Sequence, residues 1–129
     1  MTITINVTIS GVSELYNDLA DRTPLHKSIA QHIKADTLSH FSTESAPDGR
    51  RWAPSQRALA TGGRTLTDTR ALKDSVVTFA DHSTIIVGTD IDYGKYHEFG
   101  TRNMAQRQWL GFDDEEEILD IIEDYIMGN

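Results

Sequence analysis

The chain has 129 residues, a mass of 14.4 kDa and a formal net charge of −8, a size that suits a single domain around one core. The absence of cysteine excludes disulfides, thiolate metal sites and a cysteine nucleophile. No stretch approaches the ~18 uninterrupted apolar residues of a membrane span, and the opening MTITINVTISG lacks the basic and apolar regions of a secretory signal, so a soluble protein is expected.

The charge is unevenly placed. Residues 1–64 hold seven basic and six acidic residues (net +1), and residues 65–129 hold five basic and fourteen acidic (net −9). Such an acidic half repels phosphate backbones, which argues against direct nucleic-acid binding. Arg50, Arg51, Arg57 and Arg64 form the one basic cluster.

Ile3, Ile5, Val7 and Ile9 alternate with Thr2, Thr4, Asn6, Thr8 and Ser10, which predicts a half-buried strand ending at Gly11. Val12, Leu15, Tyr16 and Leu19 then recur at helical spacing, with Ser13 as a cap, for a short helix to about Ala20. Thr23 before Pro24 starts the main packing helix, since proline suits the first turn, and Leu25, Ile29, Ile33 and Phe41 fall on one face. From Ser42 to about Leu66 apolar periodicity stops, and Pro47, Gly49, Pro54, Gly62 and Gly63 punctuate a long polar stretch that reads as a mobile interaction loop. Thr67 or Asp68 caps a turn containing Leu72. The runs SVVTFA and STIIVGT, separated by Asp81 and His82, predict a β-hairpin. Asp90 or Asp92 caps a short helix carrying Tyr93, Tyr96 and Phe99, with Gly100 closing it. Asp113 opens a last helix whose first-turn acids suit the macrodipole; its buried stripe is Ile118, Leu119, Ile122, Tyr125 and Ile126. Together these elements predict an α+β fold in one domain, a small antiparallel sheet packed against helices.

Chemistry-bearing groupings are sparse. His32, Asp36 and His40 are spaced by four and share a helix face from which zinc could in principle be held, but a solvated polar face is the reading such a lone triplet favours, and no metal or cofactor is expected. His97 sits beside Glu98 between two aromatics, without a nucleophile or second histidine-glutamate pair to make a catalytic set. ALATGGRT departs from a phosphate loop at Ala58 and Arg64. No catalytic residue and no small-molecule substrate is indicated. Trp52 and Trp109 each lie beside arginine in loop-like segments, as interface anchors do; core anchoring is the competing reading, equal for Trp52 and favoured for Trp109.

The ordered blocks PDGRRWAP, LTDTRALKDSV, VGTDIDYGKYHEFG and AQRQWLGF resemble the phage virion morphogenesis family, the tail-completion proteins of contractile-tailed phages and prophages. The resemblance spans about residues 38–127. The family's helix-final phenylalanine and Gly-Arg-Trp segment correspond to Phe41 and residues 48–52, and its Tyr-x-x-x-His-x-Phe-Gly block to Tyr93, His97, Phe99 and Gly100. Its Thr-Gly-x-Leu block stands here as Thr69, Arg70 and Leu72 without the glycine. Its Pro-Ala-Arg-Pro-Phe-Leu-Gly stretch stands as Met104, Ala105, Arg107, Gln108, Trp109, Leu110 and Gly111 without either proline; and glutamine, common before the Phe-Gly pair, is Glu98.

This resemblance implies a structural, non-enzymatic protein that completes the tail or joins tail to head at the neck as an oligomeric ring. It would assemble in the host cytoplasm, end in the virion and contact tail-tube and head-connector proteins. The candidate interaction residues are Arg50, Arg51, Trp52, Arg57, Arg64, Tyr93, His97, Phe99, Arg107 and Trp109. An acidic inhibitor that competes with nucleic acid for a basic partner is the alternative that composition permits.

Overall fold

The main helix organises the structure, a computed structural model described over residues 1–5, 13–54, 60, 70–91, 93–102 and 105–128. In chain order the elements are β1 (Thr2–Thr4), α1 (Ser13–Asn17), α2 (Thr23–Thr43), α3 (Arg70–Asp74), β2 (Val77–Ala80), β3 (Ile85–Gly88), α4 (Tyr93–Phe99) and α5 (Glu115–Met127). Helix α2 begins where Pro24 pre-sets the backbone, and the Asp21 carboxylate accepts the Thr23 amide at 2.9 Å. The Thr23 side chain first, and this amide bond with it, hold the Asp21 carboxyl below its usual range. Leu25, Ile29, Ile33 and Phe41 are all buried on one stripe, as their spacing demands, each contributing about 1.5–3 kcal/mol of apolar burial.

The three strands form one antiparallel sheet in the order β1-β3-β2. Helix α2 packs against β2 and β3 and also against α5, giving the α+β arrangement expected from the sequence. Strand parity sorts the hairpin's side chains. Thr78 lies opposite Val87 and Ala80 opposite Ile85, on the α2 face, where Ile85 and Val87 are fully buried. Val77 and Phe79 fall on the other face and are exposed. The hairpin turn is organised by Asp81, whose Oδ1 accepts the amides of Ser83 and Thr84 at 2.8 and 2.7 Å. On the other side of β3, Met1 and Thr89 exchange backbone bonds. Gly88 is required there, because a Cβ would collide with the Met1 carbonyl oxygen and the Thr2 backbone.

Several expectations change. Only Thr2–Thr4 of the first strand is assigned, and Val7, Ile9 and Gly11 lie outside the described residues. Leu15 is 53% exposed, so α1 is anchored by Tyr16 and Leu19 instead. The last helix is capped by Asp114, not Asp113: the Asp114 side chain accepts the Glu116 amide at 2.9 Å. Tyr125 leaves the predicted stripe and is 40% exposed, while Ile121 joins the partly buried residues beside Ile118 and Ile122. Residues 42–54 are not a loose loop. Ser42 and Thr43 finish α2, and the segment after them folds back as a tight turn. The remainder of the polar stretch, and Thr67 and Asp68, lie outside the described residues except for Ala60. No helix among the described residues is long and apolar enough to cross a membrane.

Candidate interaction surface

Helix α2 stops at Glu44, which takes a left-handed conformation (φ 53°, ψ 46°) and turns the chain back on itself. Ser45 then bridges Arg51, Ala46 donates to the Arg50 carbonyl at 2.8 Å, and Trp52 donates to the Glu44 carbonyl at 2.7 Å. Pro47, Asp48 and Gly49 form the tip, where Gly49 has φ +89°. Asp48 accepts the Arg50 amide at 3.0 Å and its guanidinium at 2.7 Å. The amide bond first, and the guanidinium with it, hold the Asp48 carboxyl below its usual range.

The alternation of this turn decides which side chains face outward. Arg50 and Arg51 are exposed, whereas Trp52 is buried and donates its Nε1 proton to the Gln108 carbonyl at 2.7 Å. Phe41 meets Trp52 edge-on at 5.9 Å between centroids, and meets Trp109 on its other side at the same separation. A small polar pocket remains at the surface between Ala46, Arg50, Arg51, Trp52, Gln106 and Gln108. Two guanidinium-bearing residues and two carboxamides around a recess suit a carboxylate from a partner surface.

A strap from Ala105 to Asp113 supports this turn from below. Arg107 is buried and donates to the Ala53 carbonyl at 2.8 Å, while its backbone amide donates to the His97 carbonyl at 2.7 Å. Trp109 is fully buried with its Nε1 on the Gly94 carbonyl at 2.9 Å. Glu98, also buried, accepts the Trp109 and Leu110 amides through one carboxylate oxygen at 3.0 and 2.9 Å. Thr37 and Gly111 exchange bonds at 3.3 and 3.2 Å. His40 bridges the strap through both ring nitrogens, with Nδ1 2.6 Å from the Trp109 carbonyl and Nε2 2.5 Å from the Asp113 carboxylate.

The predicted interaction residues therefore divide. Arg50 and Arg51 are outward; Phe99 is 68% exposed at the end of α4, with Tyr96 beside it at 45%. Trp52, Arg107 and Trp109 face inward and hold the turn and strap to the protomer's own core. His97 is half-buried in α4, and Tyr93 opens that helix with its side chain outside the described part. Arg57 and Arg64 lie outside the described residues. Of the three residues spaced by four on α2, His40 is committed to the strap, while His32 and Asp36 remain at the helix surface with Glu117 of α5. Sequence reasoning missed the roles of Glu98, Thr37 and His40. The one available signal was that polar side chains at positions 37 and 40 share the α2 face of Ile33 and Phe41.

The profile of the phage virion morphogenesis family matches residues 6–127. The chain belongs to that family. No curated protein and no solved structure matches it. Membership gives it a structural role in building a phage particle, in a family that is typically not enzymatic, and a setting in the infected host cell and the virion. Of the blocks that carried the resemblance, PDGRRWAP and AQRQWLGF supply the two tryptophans packed on Phe41, and VGTDIDYGKYHEFG supplies α4.

Proposed function

We propose that this member of the family completes the tail or joins tail to head at the neck, working as a ring of identical subunits that contacts tail-tube and head-connector proteins. A ring needs a heterologous contact, in which one patch meets a different patch on the next copy. The observation that carries the reading is that one subunit bears both halves of such a contact. The 45–52 turn offers Arg50 and Arg51 beside a polar recess, and among the described residues Arg51 has no ion-pair partner. Helix α5 offers Glu116, Asp120, Glu123 and Asp124, all exposed. Because Trp52 and Arg107 fix the turn to the core, little ordering cost attaches to its use.

Light scattering on the purified chain across a concentration series tests this. Reversing Arg50 and Arg51 to glutamate should abolish the ring-sized species at physiological salt, where charges still act over about 8 Å. Reversing Glu123 and Asp124 to lysine should do the same, and combining both sets should restore part of it. An oligomer indifferent to these changes refutes the contact. A strict monomer at every concentration removes the self-assembling ring, and capture by tail-tube and connector proteins then decides the neck assignment.

A further inference from the structure

Helix α2 and helix α5 meet at a second place with chemistry of its own. His32 and Asp36 are one turn apart on α2, and Glu117 reaches them from the first turn of α5. One ligand-type atom from each lies within 4.8 Å of the other two. His32 Nε2 is 3.1 Å from Glu117 Oε2 and 3.5 Å from Asp36 Oδ2. Although sealed from solvent, that nitrogen makes no hydrogen bond to either oxygen. The oxygens thus stand beside the ring's bonding direction rather than on it. Two donors that share a metal ion at about 2.1 Å each are themselves about 3–3.5 Å apart and off each other's axis, which is this arrangement.

We propose that His32, Asp36 and Glu117 form a site for a divalent transition-metal ion of the zinc type that ties α5 to α2. One imidazole and two carboxylates suit zinc, cobalt or nickel better than magnesium or calcium, which favour all-oxygen sites. The carboxylate from Asp36 is already oriented, because its Oδ2 accepts the Asp113 amide at 3.1 Å. The ion would also sit against the run Asp113–Glu117, five consecutive acids whose mutual repulsion a dication relieves. His40 takes no part, being held by the Trp109 carbonyl and Asp113.

The test is calorimetric titration of the untagged, chelator-stripped full chain with Zn2+. Saturable binding of one ion per chain is expected, together with a rise in melting temperature. Glu117→Gln changes a half-exposed side chain and should keep the fold while weakening binding by roughly tenfold or more. His32→Gln should do likewise, and His82→Gln, at the separate Asp21 pair, should leave binding unchanged. Absence of saturable binding overturns the site, as does a loss of less than roughly tenfold in Glu117→Gln, which carries the test alone if the His32 variant does not fold.

Discussion

Glu98 offers the sharpest test of how the strap is held. Its carboxylate oxygen accepts two buried amides, those of Trp109 and Leu110, at 3.0 and 2.9 Å. Glu98→Ala removes the one oxygen that accepts both buried amides. Each buried amide left unpaired costs about 1–3 kcal/mol, so the pair costs about 2–6 kcal/mol. For a chain of this length, at roughly 4 °C per kcal/mol, that lowers the melting temperature by roughly 8–24 °C. Glu98→Gln keeps the oxygen where both amides need it and removes a charge whose burial is itself costly, so its loss should stay below about 1.5 kcal/mol. Urea unfolding followed by tryptophan fluorescence is the natural assay, since Trp52 and Trp109 both lie in this region, with far-UV circular dichroism to check that one transition is seen. A Gln variant as damaged as the Ala variant refutes the acceptor argument and makes the charge the active feature. An Ala variant within about 0.5 kcal/mol of the parent refutes the claim that Glu98 holds the strap at all.

Three further outcomes follow from the same structure. His26 is buried between the Tyr16 hydroxyl at 2.7 Å and the Asp81 carbonyl at 2.8 Å, and burial is the main cause that lowers its pKa from 6.5. Just below pH 6.5 the unfolded chain therefore binds the proton that the folded chain refuses, so stability falls as pH drops through that window; urea midpoints from pH 7 downward should show a shallower slope in His26→Gln. Gly88→Ala should cost about 1–3 kcal/mol in denaturant titrations, because the added methyl meets backbone of β1 that cannot swing away. Asp114→Ala should cost about 1 kcal/mol by removing the α5 cap, and a melting curve unchanged from the parent would assign that role elsewhere.

Elements built on a clear period were legible from residue order. The α2 stripe, the 77–88 hairpin and the Gly100 stop after α4 follow from apolar spacing and from backbone chemistry that acts within a few residues. Gly100, at φ +74°, donates to the Tyr96 carbonyl at 2.8 Å, as a glycine cap should. What was not legible depends on partners distant in sequence. The turn after Thr43 reads as loop because Pro47, Asp48 and Gly49 do break regular structure; what orders it is Trp52 bonding to Gln108, 56 positions away. The inward direction of Arg107 has the same origin, since its partner carbonyl belongs to Ala53. Leu15 and Tyr125 erred in the other direction: helical spacing names a face, but the width of the surface it packs against decides how much of that face is covered.

The motif blocks shared with the family thus work mainly as an internal lock. Phe41 meets Trp52 edge-on and Trp109 at a tilt, and the strap between Ala105 and Asp113 ties α4 to the end of α2 through Glu98, Thr37 and His40. Two departures from the family pattern are explained by that lock. Trp109, standing where the resemblance has phenylalanine, adds an indole proton that the Gly94 carbonyl accepts. Gly94 must stay small for the ring to fit, since a Cβ there would press on Leu72, Thr89 and Trp109 at 3.0, 3.0 and 3.2 Å. The prolines missing near Met104 and at Gln108 would have stiffened the strap by restricting its backbone; here the two amides held by Glu98 and the Arg107 bonds restrict it instead. Around that lock Arg50, Arg51, Tyr96 and Phe99 stay exposed, so substitutions at these positions should cost the fold little, whereas those at Trp52, Arg107 or Trp109 should cost it much.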